Sequence, residues 1–114
     1  MPRNISFMMT KDQLLDGSKT VTRRMGWKFL KPGDQLMACE KCQGLGKGGK
    51  LNRYGLIEIK SVRREQLNRI NLDDVTKEGF PEMNVTEFID FFIDGHRGCT
   101  PTSTITRIEF QKLF

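Results

Sequence analysis

Hydrophobic and polar positions follow two different periods along this chain. Between residues 85 and 93 the apolar side chains are Val85, Phe88, Ile89, Phe92 and Ile93. That is the i, i+3, i+4, i+7, i+8 spacing of a helix with one buried stripe. Asn84 and Glu87 form a capping pair ahead of it, and Gly95 ends it. From Tyr54 to Arg64 the period is two, with Ile57 and Ile59 on one face and Glu58 and Lys60 on the other, which predicts a long strand. Thr104 to Leu113 repeats the pattern, with Thr106, Ile108 and Phe110 on one face.

Shorter signals complete the layout. Ile5 and Phe7 alternate within a strand from Asn4 to Met8, and Thr10 precedes a short helix, Lys11 to Asp16, stopped by Gly17. The β-branched run Thr20-Val21-Thr22 predicts a strand entering Arg23 and Arg24. Pro32-Gly33-Asp34 is a turn into a strand from Gln35 to Cys39, and residues 40–52 read as a glycine-rich loop. Asn71 caps a helix that runs through Val75 to about Glu78 and stops at Gly79. The order is strand, helix, three strands, two helices, strand. Without a repeated βα unit, a doubly wound parallel sheet is disfavoured. A small curved sheet or barrel with helices on one side, an α+β fold, fits this order.

Composition narrows the picture only modestly. At 114 residues, with 37% hydrophobic and 29% charged, the chain reads as one globular domain spanning 1–114. No apolar run approaches membrane-spanning or signal-peptide length, so no membrane partner is expected and the cytoplasm is the default location. The net charge of +5 suits a polyanionic partner as well as an ordinary surface. One Trp and one Tyr argue against a broad platform of stacking aromatics. An odd count of three cysteines argues against a disulfide framework and leaves free thiols or metal ligands.

The segment Gly17-Ser18-Lys19-Thr20-Val21-Thr22-Arg23-Arg24 reads G-x-K-x-x-T-x-R. It resembles the signature of the ASCH family, usually G-x-K-x-x-E-x-R, in a Thr-containing variant. Lys31 through Leu36, Ile57-Glu58-Ile59, Lys77-Glu78-Gly79-Phe80 and Arg107 through Phe110 are similar to further family elements in the same order. The resemblance implies a PUA-like curved barrel of about five to six strands, with two or three helices packed outside and a cleft lined by the G-x-K segment. It further implies RNA or a modified nucleoside as partner. Gly17, Ser18, Arg23 and Arg24 would lie at that cleft. The Thr variant is similar to small N4-acetylcytidine amidohydrolases, and on that likeness Lys19 would accept a proton, Thr22 act as nucleophile and Glu78 donate a proton. Glu82 competes with Glu78 for the last role. The chain also resembles small ASCH proteins of phage and prophage genomes.

The chemistry places its own demands on these residues. A Thr hydroxyl needs a neighbouring base, and a Lys serves as one only where burial or nearby positive charge lowers its pKa. Arg23 and Arg24 are close enough in sequence to contribute. On a regular strand Lys19 and Thr22 point to opposite faces. They converge only if Lys19 belongs to the Gly17-Ser18 turn instead.

Other residues carry separate expectations. Cys39-x-x-Cys42 and His96-x-x-Cys99 supply the four ligands of a possible structural zinc site, which would leave no open position for catalysis. No other cofactor is required. The basic glycine-rich loop, with Lys47 and Lys50, lacks the P-loop spacing but suits a nucleic-acid backbone, an expectation that extends to Arg53. Trp27 and Tyr54 are the candidates for stacking a base. Functionally, a non-catalytic RNA or modified-base binder competes with an amidohydrolase of acylated nucleosides and with a ribonuclease. The single histidine excludes a two-histidine acid–base mechanism for the last. The oligomeric state stays open.

Overall fold

Five strands and three helices are seen in the computed structural model, which describes residues 3–40 and 52–114. In chain order they are β1 (Arg3–Ser6), α1 (Lys11–Asp16), β2 (Val21–Arg24), β3 (Gln35–Cys39), β4 (Arg53–Gln66), α2 (Leu72–Lys77), α3 (Val85–Asp94) and β5 (Thr104–Lys112). The strands form one curled sheet in the order β1-β3-β4-β5-β2, a half-barrel of α+β type. The predicted elements are all present, with ends displaced by a few residues.

β1 runs parallel to β3, with Arg3 opposite Leu36 and Ser6 opposite Cys39. A parallel pair needs a long connection, and here it carries both α1 and β2. That excursion takes β2 to the far end of the sheet, where it pairs antiparallel with β5. β4, at 14 residues, is long enough to pair with β3 through its first half and with β5 along most of its length. Between Ile59 and Ser61 the register shifts, leaving Lys60 unpaired opposite the Phe110–Glu109 step. Such a bulge bends a strand and increases its twist, which helps the sheet curl.

Alternation along β5 feeds two separate cores. Ile108 and Phe110 join Ile57, Ile59, Phe7, Leu14 and Leu36 inside the curl. Ile105 faces the other way and joins Val75 of α2 and Phe88 and Phe92 of α3. The α3 stripe read from the sequence is the one used: Phe88 and Phe92 are buried, and Val85, Ile89 and Ile93 pack partly buried against the same cluster. Its capping box is complete, since the Asn84 side chain accepts from the Glu87 N–H and the Glu87 side chain accepts from the Asn84 N–H.

Candidate functional site

The G-x-K segment is held by backbone bonds that keep Lys19 out of the sheet. α1 ends at Gly17, whose φ of +83° is the left-handed conformation glycine adopts freely. The Ser18 N–H donates to Asp16 Oδ1 at 2.7 Å. The Lys19 N–H donates to the Gln13 carbonyl at 3.0 Å and the Thr20 N–H to the Lys77 carbonyl at 2.8 Å. Strand geometry starts only at Val21. Lys19 is therefore not bound by the alternation that separates it from Thr22, and both side chains border one cavity.

That cavity measures about 260 Å³ and sits at the β2 end of the sheet, on the seam between the two cores. Lys19, Thr22, Arg23, Arg24 and Glu78 supply its charged and polar wall, with the hydroxyl residues Ser6 and Thr10 beside them. Phe7, Phe80, Phe88, Phe91 and Phe92 supply rings, and His96 joins them from just beyond α3. Met8 and Met9, both exposed, lie at its rim. Its volume is just under the range of roughly 300–1,000 Å³ common for small-molecule sites.

The charges are packed densely. Lys19 Nζ donates to Glu78 Oε1 at 3.0 Å and to the Glu78 carbonyl at 2.7 Å, with the two side chains only 3% and 4% exposed. Burial, the largest influence, lowers the Lys19 pKa; Glu78 opposes this, while Arg24 and Arg23 reinforce it, and the net shift is downward. This is the direction a lysine base requires. Gly79, at φ +103°, allows the approach: a Cβ there would stand 3.0 Å from the Gln13 side chain and 3.6 Å from Lys19 Cβ.

Arg23 has a different role from Arg24. Register places Arg23 opposite Arg107, and Arg107 opposite Arg63, so three arginines stand abreast across β2, β5 and β4. Like charges in that position repel. Asp74 of α2 relieves two of them, accepting from Arg23 at 2.6 Å and from Arg107 at 2.7 and 3.1 Å. Glu65 accepts from Arg23 at 3.3 Å and from Arg63 at 3.2 Å, and Glu78 Oε2 accepts from Arg23 at 3.2 Å. Burial would raise the Asp74 pKa, but the bonds from Arg107 and Arg23 outweigh it and hold the carboxyl well below the usual range. Both terminal nitrogens of Arg23 are thus engaged by carboxylates, while its Nε is buried with no hydrogen-bond partner among the described residues. Arg24 forms no ion pair among the described residues. It donates to Thr22 Oγ1 at 3.0 Å and to the Ser6 carbonyl at 2.6 Å, and lies over the Phe7 ring at 5.1 Å. Burial lowers its pKa to about 10, with Glu78 opposing, which leaves it charged at neutral pH.

Other residues singled out from the sequence lie elsewhere. Gly17 and Ser18 shape the turn without lining the cavity. Glu82 is exposed and also off the lining. Trp27 packs on the first core and against Phe29, with ring centroids 5.6 Å apart, and Tyr54 packs on that same core. Arg53 is exposed at the start of β4. Lys47, Lys50 and Cys42 fall outside the described residues. Of the zinc candidates, Cys39 is buried with Sγ 3.5 Å from the Ile5 carbonyl oxygen, Cys99 is a buried free thiol in the second core, and His96 Nδ1 is bonded to the Phe92 carbonyl. Among the described residues no group of three His, Cys, Asp or Glu side chains could hold a metal. Sequence reasoning missed the phenylalanine wall, Asp74 and Arg107. Phe88 and Phe92 were legible as core, but nothing in their spacing says that a core stripe also borders a cavity.

No protein-family model matches the chain, and no curated protein matches it. Solved structures do share its architecture. A protein of Enterococcus faecalis V583, of family model DUF984, superposes with a TM-score of 0.72 at 14% identity, covering 99% of this chain and 77% of that one. An ASCH domain from Lactobacillus crispatus JV V101 gives 0.62 at 18% identity, covering 96% and 78%. The chain has an ASCH-like fold, consistent with a PUA-like curved barrel. No helix among the described residues is long and apolar enough to cross a membrane.

Proposed function

We propose that the cavity receives one base of an RNA or of a modified nucleoside. The observation that carries this reading is the meeting of Lys19, Thr22 and Arg24 with five phenylalanine rings around a space of about 260 Å³. Aromatic walls suit the faces of a base, and Arg24, which forms no ion pair among the described residues, suits a carbonyl or phosphate oxygen. The similarity to an ASCH domain agrees with it at the level of fold. Calorimetric titration with nucleosides and short RNAs tests the reading. Binding should weaken about tenfold or more in Arg24→Ala, the loss of one charge-assisted hydrogen bond. A protein that binds none of these ligands would refute it.

A second reading is favoured by one specific feature: Lys19, Thr22 and Glu78 border the same cavity. In an amidohydrolase, Lys19 would take the Thr22 proton as Oγ1 bonds to the acyl carbon. Glu78 would protonate the departing amine as the C–N bond breaks. Water would then release the carboxylic acid and restore Thr22. The required pair, neutral Lys19 and protonated Glu78, carries the same number of protons as the ion pair at 3.0 Å. The competent state is thus a tautomer of the resting one and needs no net proton from solvent. Acetate release from N4-acetylcytidine, abolished in Thr22→Val, is the expected result; no turnover over a panel of acylated nucleosides would exclude this chemistry.

A further inference from the structure

His96 has no part in the base-binding or amidohydrolase readings, yet it borders the cavity. Its ring stacks on Phe92 at 4.0 Å with 13° between the planes, and its Nδ1 is 2.8 Å from the Phe92 carbonyl oxygen. A carbonyl oxygen only accepts, so the proton of the neutral ring sits on Nδ1. Nε2 is left as a bare acceptor with no partner among the described residues.

The polar groups along β2 and at Glu78 have the opposite character. Glu78 already accepts on Oε1 from Lys19, on Oε2 from Arg23 and on its carbonyl from Lys19. Thr22 Oγ1 accepts from Arg24, which leaves its hydroxyl proton to donate. Lys19 and Arg24 can only donate. The cavity therefore presents donors along β2, hydroxyls at Ser6 and Thr10 that can donate or accept, and, at its α3 end, a ring nitrogen that can only accept.

We propose that His96 Nε2 selects a ligand carrying a hydrogen-bond donor, such as the exocyclic amine of a base, while the β2 end takes a carbonyl or oxyanion. The proposal rests on the base-binding reading above and sharpens it: an amino-bearing base should be preferred over its keto counterpart. A site that hydrogen-bonds a particular ligand group discriminates strongly against an analogue that leaves the site's own polar atom unpaired.

The test compares binding of cytidine with uridine, and of adenosine with inosine, to wild type and to His96→Phe, which keeps a ring against Phe92. Wild type should favour the amino member of each pair. His96→Phe should lower that preference about tenfold, the value of one hydrogen bond, with little change for the keto member. Because the chain has one histidine, a ¹⁵N spectrum of wild type reports this imidazole alone. It should show Nδ1 protonated, and an Nε2 resonance that moves upfield with the amino ligand and not with the keto one. This readout decides the matter even if His96→Phe does not fold. An unchanged preference in folded His96→Phe, or an Nε2 resonance unmoved by an amino ligand that binds, overturns the role of His96 alone. Failure of wild type to bind either member of both pairs overturns the base-binding reading, and this inference with it.

Discussion

A lysine 4% exposed carries a heavy desolvation cost, and Lys19 meets it through two acceptors of one residue, Glu78. Thr22 has the lighter task of giving Arg24 Nε an acceptor at 3.0 Å. Replacing Thr22 by Val keeps the shape and removes that oxygen. Thr22→Val should lower stability by about 1–3 kcal/mol, the cost of an unpaired polar group, measured as a shift of the urea midpoint with unchanged slope. The same variant separates structure from chemistry: it should fold and yet release no acetate if Thr22 is a nucleophile.

At the scale of elements, α2 brings two carboxylates to the arginine row. Asp74 and Glu78 stand four residues apart and so share one side of the helical segment. The backbone turns away at Gly79, whose φ of +103° strains any other residue. Gly79→Ala should lower stability by about 1–3 kcal/mol and displace Gln13 or Lys19. Thermal unfolding would show the loss, and ¹⁵N-labelled Lys19 would show the displacement as a moved Nζ resonance. Asp74→Asn leaves Arg107 without an ion-pair partner among the described residues and Arg23 with only Glu65 and Glu78. A cost of about 3–5 kcal/mol is expected, as for other broken buried pairs.

For the whole molecule, the cavity lies where two cores meet, so acid stability and site integrity are linked. Asp74 has a depressed folded pKa, held down by Arg107 and Arg23 against burial. A depressed carboxylate adds stability that is complete above the unfolded value of about 3.9 and is lost as pH falls below it toward the folded value. Urea midpoints measured from pH 6 to pH 2 should therefore fall below about pH 4. In Asp74→Asn that part of the slope should vanish while the plateau sits lower. An identical acid slope in the two proteins would show that Asp74 does not carry this dependence.

Local pattern alone determined much of the architecture. The period-two runs of β4 and β5, the stripe and capping box of α3, and the Gly17 stop of α1 depend on neighbours in sequence, and each was legible. So was the prospect of Lys19 leaving the strand, because a glycine-containing turn frees the next residues from alternation. Only the tertiary structure decided that β2 crosses to the far end of the sheet, that Arg23, Arg107 and Arg63 align, and that Asp74 rather than solvent neutralises two of them. Register and crossover are set by contacts between residues dozens of positions apart, which leave no periodic trace in the chain. For the same reason the arginines read alike in sequence, whereas packing engages Arg23 with three carboxylates and leaves Arg24, at the cavity, without an ion pair among the described residues.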